Sequence, residues 1–277
     1  MEQQAFPDLL SVDQWGDLQS ADDLVVLDAS WAWEGDGPRR GHRETRIPGA
    51  RLFDHGAAQD PQSPLHDTVP SAEHFAQHAS RLGIRNQDRI VLYSQGAFSG
   101  AARAWFLFRL FGHHKVSVLD GGLTAYVEAG LPVESGQPTT VPATAFKAAT
   151  NSGLLVDVPG MQGALDNQVQ TIDGRPHAVY LGEQDFFAEQ GGPAQGKPGR
   201  IADMPNIATS EVTTDGELKS VADLCRLFSH HGIDLAEPIV TTCSLGVGAS
   251  GIAFALHLAG ARQVSLFDGS YEAWVSR

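Results

Sequence analysis

Few cysteines, few basic residues and no long apolar run limit what this chain of 277 residues can be. Its 2 cysteines, Cys225 and Cys243, are too few for a disulfide-rich secreted scaffold or a cysteine-rich zinc site. The 19 lysines and arginines against 33 acidic residues give a formal net charge of −14. Because nucleic acids and anionic membranes bind basic surfaces, we expect neither as a partner.

The apolar residues are dispersed along the chain. They make up 42% of it, enough for packed cores, but no run approaches the roughly 20 residues that a membrane helix needs. The first ten residues lack the basic and apolar regions of a secretory leader. We therefore expect a cytoplasmic protein in a reducing compartment. No cluster of ligand residues is visible in the sequence, so we expect no metal and no organic cofactor.

The chain contains an internal repeat of about half its length. Residues 83–94 and 116–126 align, with one gap, with residues 232–243 and 264–274. A repeat of this size predicts two tandem domains and not a solenoid of short units. The predicted limits are a first domain at 1–138, a linker rich in proline and threonine at 139–150, and a second domain at 151–277.

Short β-branched runs alternate with helical patterns in each half. The predicted strands are 24–27, 90–93, 116–119, 239–242 and 264–267, and the clearest predicted helices are 102–111, 220–231 and 249–259. This alternation predicts an α/β fold with a parallel sheet flanked by helices on both faces in each domain. Ligands of such sheets bind beyond the carboxyl ends of the strands. Cys243 lies at such an end, and its counterpart in the first half is Ser94.

Cys243 is the candidate nucleophile, because the loop that follows it suits an anion. Residues 244–250, SLGVGAS, include two glycines and no acidic residue. Glycine lets backbone N–H groups converge on one point, and the next helix directs its N-terminus at the same point. We expect these groups to stabilise a thiolate or an anion bound to the sulfur. The alternative is a small buried residue at a strand end. For Cys225, inside a helical pattern, packing is the expected role.

Three reaction classes use a single activated cysteine. Acyl transfer needs a histidine base, and none of the 11 histidines is marked by its position. Cysteine phosphatases need an arginine six residues after the cysteine, where this chain has Ala249. Sulfur transfer needs only a thiolate that attacks a sulfane sulfur and backbone donors that hold the resulting persulfide. The loop after Cys243 suits this last chemistry best.

Both halves also resemble a known family. The motifs VLDASW, HRETRIPGA, SPL, RAWF and VLDGG of the first half, and CSLGVGA and FDGSYEAW of the second, are similar in content and order to those of the tandem-domain rhodanese sulfurtransferases. The resemblance covers nearly the whole chain. That family includes thiosulfate and 3-mercaptopyruvate sulfurtransferases. The resemblance implies a catalytically silent first domain, a persulfide on Cys243, a small-molecule sulfur donor, and a thiol, cyanide or thioredoxin-like acceptor.

The resemblance further implies the residues that bind the donor. Arg175 matches the arginine that forks onto the anionic group of the donor, as the planar guanidinium can. The loop residues that would line the donor site are Ser244, Leu245, Gly246, Val247 and Gly248.

Some positions depart from the family pattern. Ser244 and Leu245 are uncharged where thiosulfate enzymes carry basic residues, which favours a mercaptopyruvate-like donor. Val179 replaces an expected second arginine, and His66 with Asp67 offers a substitute polar pair. The alternative function is a non-catalytic or regulatory protein that binds a partner or a sulfur species through the same loop.

Overall fold

The computed structural model describes residues 6–19, 21–32, 35–186 and 199–277. The first five residues, on which the expectation about a leader partly rests, lie outside the described residues. The chain forms two compact units. The first comprises Met1–Ala58, Pro70–Thr150 and Asp215–Glu217, and the second comprises Gln59–Val69, Asn151–Thr214 and Leu218–Arg277. Each unit holds one half of the repeat, but the second also takes a short segment, Gln59–Val69, from the first half of the chain.

The first unit is built on a parallel sheet of five strands in the order β1-β5-β4-β2-β3. The strands are β1 (Leu9–Leu10), β2 (Leu24–Asp28), β3 (Arg51–Leu52), β4 (Arg89–Tyr93) and β5 (Val116–Leu119). The helices are α1 (Val12–Leu18), α2 (Gly37–Glu44), α3 (Ala72–Arg81), α4 (Ser99–Leu110) and α5 (Gly122–Glu128), with a 3-10 turn at His55–Ala57. Residues 139–150, the predicted linker, have no helix or strand but are bound to this unit. There, the N–H groups of Thr144 and Ala149 donate to the carbonyls of Ser80 and Phe111.

The second unit contains a parallel sheet of four strands in the order β6-β11-β10-β7. The strands in this half are β6 (Leu155–Val156), β7 (Gln170–Asp173), β10 (Ile239–Thr242) and β11 (Val264–Phe267), with a short ribbon of β8 (Thr213–Thr214) and β9 (Glu217–Leu218). The helices are α6 (Val158–Asp166), α7 (His177–Leu181), α8 (Val221–His230), α9 (Val247–Leu258) and α10 (Ser270–Val275), with 3-10 turns at Ser152–Leu154 and Thr209–Val212.

The two sheets confirm the repeat seen in the sequence, because their strands follow equivalent orders. Strands β1, β5, β4 and β2 of the first unit correspond to β6, β11, β10 and β7 of the second. Both β2 and β7 end in a fully buried aspartate, Asp28 and Asp173. Asp28 pairs with Leu52 of β3, and Asp173 makes an isolated parallel bridge to Asn206 in the equivalent place. The α/β fold of two parallel sheets flanked by helices is as predicted.

Helix starts differ most from the predictions. The helix after Cys243 begins at Val247, two residues earlier than predicted, because Gly246 adopts φ 107° and turns the chain directly from the loop into the helix. Helix α4 begins at Ser99, three residues before the predicted start. The predicted end before Gly260 is confirmed, since Gly260 has φ 96° just beyond the final turn. Among the described residues, no helix has the length and apolar character to span a membrane.

Candidate active site

Cys243 lies between the end of a buried strand and the first turn of a helix. The whole of β10 is buried, as its β-branched residues predict for a central parallel strand. Cys243 follows directly and is itself 5% exposed, and α9 begins four residues later. The thiol therefore lies at the carboxyl edge of the sheet, which is where ligands of such folds bind.

A backbone donor points at the sulfur. The N–H group of Gly246 donates to Cys243 Sγ over 3.0 Å. In a helix that begins at Val247, the N–H groups of the first three residues have no acceptor inside the helix. One of these residues, Gly248, lies so close that a Cβ on it would stand 3.6 Å from Sγ and 3.0 Å from Thr209 Oγ1. The arrangement can stabilise negative charge on the sulfur or on an atom bound to it.

The start of α10 holds the backbone of the loop. The N–H of Cys243 donates to Ser270 Oγ at 3.2 Å, and that hydroxyl donates in turn to the Phe267 carbonyl at 3.0 Å. The N–H groups of Tyr271 and Glu272 donate to the carbonyls of Cys243 and Ser244 at 3.0 and 3.1 Å. Ser270 is fully buried and has φ 50°, a left-handed conformation that few side chains adopt. Hydrogen bonds on both sides of the peptide therefore fix the position of the thiol.

Arg175 forms a buried ion pair at the end of β7, the neighbour of β10. Its Nε and NH2 groups donate to the carboxylate of Asp173 at 2.7 to 3.0 Å, and NH1 donates to the Gly199 carbonyl at 2.9 Å. The guanidinium lies 4.3 Å from the centre of the Tyr271 ring. Because the side chain is only 2% exposed, its visible contacts are structural, and the role of Arg175 in donor binding stays a prediction.

Comparison with known proteins fits this geometry. A sequence model of the Rhodanese-like domain matches residues 11–129 and again residues 161–277. The chain belongs to the rhodanese family. It is 36% identical over 262 residues to 3-mercaptopyruvate sulfurtransferase of Homo sapiens, with 92% of this chain and 86% of that protein covered.

Other rhodaneses give the same result. Thiosulfate sulfurtransferase of Gallus gallus is 36% identical over 259 residues, covering 92% of this chain and 87% of its own length. The crystal structure of SseA from Escherichia coli, a sulfurtransferase with the rhodanese fold, superposes with a TM-score of 0.84 at 30% identity, covering 97% of this chain and 99% of SseA. The chain is therefore a tandem-domain rhodanese and a sulfurtransferase of the thiosulfate or 3-mercaptopyruvate type.

Of the predicted loop residues, Gly246 and Gly248 approach the sulfur, and Gly246 does so through its backbone N–H. The side chains of Ser244, Leu245 and Val247 are buried, with 5%, 2% and 4% of each residue exposed. Burial of these three side chains leaves them little surface for a bound molecule to contact. The assignment of the loop as donor-binding stays a prediction.

Two contacts at this site were not predicted from the sequence. His66 Nδ1 lies 2.7 Å from Glu272 Oε1, a partner that the sequence did not indicate. The hydroxyl of Thr209 lies 3.2 and 3.3 Å from the Gly174 and Gly248 carbonyls. Neither arrangement has a local sequence signal, because each joins residues far apart in the chain. The left-handed conformation of Ser270 did have a sequence signal, because the internal repeat aligns Ser270 with Gly122.

The equivalent site of the first unit has no thiol. Ser94 takes the place of Cys243, and its Oγ accepts from the N–H of Ala101 at 3.0 Å. The buried carboxylate of Asp28 accepts from the N–H and hydroxyl of Ser30, from Gln95 Nε2 and from His42 Nδ1, at 2.6 to 3.1 Å. The first unit therefore has a neutral serine at this position. Ser94 lines a cavity of about 280 Å³.

The thiols of this rhodanese are both free. Cys225, predicted to be packed, is only partly buried, and its Sγ lies 3.6 Å from the Ala259 carbonyl. Within the described ranges, no group of three or more histidine, cysteine, aspartate or glutamate side chains could hold a metal ion.

Proposed function

We propose that this rhodanese moves a sulfane sulfur from a small anionic donor to a thiophilic acceptor, with the sulfur carried as a persulfide on Cys243. One observation supports this most directly. Cys243 Sγ accepts the N–H of Gly246 at the N-terminus of α9, so a negative charge on this sulfur, or on a second sulfur bound to it, is stabilised without a basic side chain.

The proposed reaction has two steps. In the first, the Cys243 thiolate attacks the transferable sulfur of the donor, and the bond between that sulfur and the rest of the donor breaks. Its electron pair leaves with the donor fragment, as sulfite from thiosulfate or, after protonation of the carbon, as pyruvate from 3-mercaptopyruvate. In the second, the acceptor attacks the outer sulfur and the Cys243 thiolate leaves. The same backbone donors face anionic sulfur in both steps.

The character of the loop favours an organic donor. Ser244 and Leu245 bring no positive charge to the edge of the site, so a small inorganic dianion gains little from them. A keto acid with a thiol carries less charge and more apolar surface. We therefore propose a 3-mercaptopyruvate-like donor over thiosulfate.

Arg175 belongs to this proposal as the group that holds the donor's anion. Its contacts with Asp173 and Gly199 use Nε and one N–H on each terminal nitrogen, out of five N–H groups in a guanidinium. The pair lies at the end of β7, hydrogen-bonded to β10, which carries Cys243. A bound carboxylate would be oriented by the N–H groups that remain.

Small thiols, cyanide and thioredoxin-like proteins are the proposed acceptors, because each presents a nucleophile that attacks divalent sulfur. A cytoplasmic location is part of the proposal, since a persulfide cycle needs a compartment that keeps thiols reduced.

Intact mass measurement tests the proposal. The protein is incubated with 3-mercaptopyruvate or with thiosulfate, and then with cyanide. We expect one added sulfur, its removal by cyanide, and its absence from Cys243→Ser. Cys225→Ser is the matched control, because its thiol lies against the Ala259 carbonyl, at the opposite end of α9 from Cys243, and it should load sulfur as the parent does. A Cys243→Ser protein that loads and transfers sulfur would overturn the proposal.

The same experiment distinguishes the alternative function. A Cys243 that alkylates readily but takes sulfur from neither compound would indicate a different donor. A Cys243 that neither loads nor alkylates would favour a binding protein without turnover.

A further inference from the structure

A side-chain hydroxyl borders the space beside the thiol, and the reaction above gives it no role. It belongs to Thr209, a partly buried residue that begins the 3-10 turn Thr209–Val212. A Cβ placed on Gly248 would stand 3.0 Å from Thr209 Oγ1 and 3.6 Å from Cys243 Sγ. Because Gly248 has no side chain, the hydroxyl oxygen and the thiol sulfur border the same gap at the start of α9.

The backbone holds Thr209 at the carboxyl edge of the sheet. The N–H of Ile207 donates to the Asp173 carbonyl at 3.0 Å, and the N–H of Thr209 donates to the Gly174 carbonyl at 3.3 Å. Asp173 is the last residue of β7, which pairs with β10. The segment of Thr209 therefore runs beside the strand next to the one that carries Cys243, and main-chain hydrogen bonds fix where its side chain begins.

The Thr209 hydroxyl is not committed to either of its present acceptors. Oγ1 lies 3.2 Å from the Gly174 carbonyl and 3.3 Å from the Gly248 carbonyl. Hydroxyl hydrogen bonds to oxygen are normally about 2.7–2.8 Å long, and one proton serves both acceptors here. The Gly174 carbonyl also accepts the Thr209 N–H, and the Gly248 carbonyl lies in the first turn of α9, where it accepts a helical N–H. The proton can therefore turn to a stronger acceptor without leaving a carbonyl unpaired.

The first unit has a different side chain at the equivalent position. In each unit a 3-10 turn follows the residue that pairs with the buried aspartate. His55 begins that turn in the first unit, and its Nε2 lies 3.0 Å from the carbonyl of Ala29, the counterpart of Gly174. A small hydroxyl thus stands beside the thiol, and a buried imidazole stands at the same place in the unit that has serine.

We propose that the Thr209 hydroxyl binds the transferable sulfur, by donating a hydrogen bond to the outer sulfur of the Cys243 persulfide. This inference rests on the proposed function. An outer sulfur stands about 2 Å from the sulfur that carries it, so on the side of Gly248 it enters the gap that the hydroxyl borders. No covalent bond changes in this step, because the hydroxyl keeps its proton and exchanges a carbonyl acceptor for an anionic sulfur.

The hydroxyl then stabilises the loaded protein and not the unloaded one. The N–H of Gly246 donates to Sγ itself, so the two donors serve different sulfur atoms. A hydrogen bond to an ionised acceptor is stronger than one to a carbonyl. Loss of the hydroxyl should therefore weaken the retention of sulfur while the free thiol of Cys243 reacts as before. A merely structural role for Thr209 would change both states alike.

Exchange with sulfite and thiosulfate measures this stabilisation. The Cys243 thiolate and thiosulfate are in equilibrium with the persulfide anion and sulfite, so atoms and charge balance. Protein loaded from 3-mercaptopyruvate or thiosulfate is brought to equilibrium in mixtures of sulfite and thiosulfate, and intact mass gives the fraction with one added sulfur. In Thr209→Val, which keeps the shape without the hydroxyl, the equilibrium constant for loading should fall about tenfold. Thr209→Ser keeps the hydroxyl and should stay near the parent value.

Two controls isolate the hydroxyl. Thr213→Val removes a hydroxyl at the end of the same turn, which donates to the Ser210 carbonyl at 3.3 Å, and it should leave the loading constant unchanged. Iodoacetamide should alkylate unloaded Cys243 at the same rate in Thr209→Val and in the parent. A Thr209→Val protein with the parent's loading constant would overturn the inference, and so would one whose unloaded thiol slows as much as its loading falls.

A second variant tests the gap from its other side. Gly248→Ala places a methyl group where the hydroxyl and the outer sulfur would meet, and Gly248 lies in a helix, so its backbone accepts alanine. Its loading constant should fall about as far as that of Thr209→Val. The double variant should fall no further, because both changes remove one interaction. Losses that multiply in the double variant would overturn the inference. Failure of the proposed function is distinct, since then no donor loads sulfur onto Cys243 in the parent.

Discussion

The backbone N–H of Gly246 donates a hydrogen bond to Cys243 Sγ over 3.0 Å. Gly246 has φ 107° and stands immediately before the first residue of α9. The glycine serves two purposes, because the same backbone conformation that starts the helix also aims the donor at the sulfur. A residue with a Cβ adopts this conformation only with strain.

Gly246→Ala should therefore slow the reaction of Cys243 with iodoacetamide. We expect a decrease of about tenfold or more at neutral pH, since a hydrogen bond to a charged group contributes roughly 1.5–3 kcal/mol. The rate is measured by mass spectrometry in a Cys225→Ser background. The control is Gly163→Ala in α6, where no atom lies within 4 Å of a new Cβ, so reactivity should not change. Equal rates in the Gly246→Ala variant and the parent would contradict the prediction.

Ser270 should prove to be a positioning residue for the thiol. Ser270→Ala removes the acceptor of the buried Cys243 N–H, at a cost of about 1–3 kcal/mol in the free energy of unfolding. Ser270→Gly loses the same bond but relieves the left-handed conformation at φ 50°, so it should be more stable than the alanine variant by about 1 kcal/mol. Urea unfolding measures both. An alanine variant as stable as the parent would show that the bond contributes nothing.

The Arg175–Asp173 pair should behave as one unit in a double-mutant cycle. Each single change, Arg175→Met or Asp173→Asn, leaves a buried group without its charged partner and should cost about 3–5 kcal/mol in unfolding free energy. The double variant should be destabilised by at least about 2 kcal/mol less than the sum of the two single variants. Additive losses would mean that the two side chains do not stabilise each other.

The double variant also tests the proposed role of Arg175 in donor binding. If the guanidinium holds the donor's anion, we expect KM for 3-mercaptopyruvate to rise tenfold or more while Cys243 still alkylates at the parent rate. An unchanged KM in a folded double variant would restrict Arg175 to its structural contacts. The alkylation rate serves as the control for the integrity of the loop.

Acid should destabilise the protein through histidines of the first unit. Burial lowers the pKa of His55 and of His78 to about 4, from 6.5. As the pH falls, the unfolded chain binds these protons before the folded chain does. The contribution of the two neutral histidines to the free energy of unfolding is therefore complete above pH 6.5 and is lost as the pH falls from 6.5 toward 4. Each histidine should contribute about 2 kcal/mol of loss between pH 7.5 and pH 5.

His78→Leu tests this expectation, since His78 Nε2 is buried with no hydrogen-bond partner among the described residues. Removing that titrating group should cut the loss between pH 7.5 and pH 5 by about 2 kcal/mol, as measured by urea unfolding at the two pH values. An undiminished pH dependence in this variant would rule out His78 as a source.

Much of the fold was predictable because local patterns and the global fold agree. The β-branched runs of β10 and β11 predicted buried parallel strands, and their observed bounds match the prediction. The repeat predicted two equivalent sheets. Helix starts were less predictable, because the φ of Gly246 depends on the packing of the loop and not on its composition.

The candidate site was predictable only in part. Strand, cysteine and glycine loop are contiguous in sequence, so the position of Cys243 at a helix N-terminus followed from their order. Arg175 was recognised, but the carboxylate of Asp173 that engages it is a tertiary contact. The contact between His66 and Glu272 is likewise tertiary, and the order of the residues gives no sign of it.

The sequence by itself determined the tandem α/β architecture and the rhodanese resemblance, and it indicated Cys243 as the candidate nucleophile. Periodicity, the internal repeat and loop composition can all be read directly from the order of the residues. Only the tertiary structure decided which charges meet. The carboxylate of Glu272 and the imidazole of His66 are separated by most of the chain, and they lie together because the segment Gln59–Val69 packs with the second unit. Electrostatic partners are set by distance in space, which sequence order does not record.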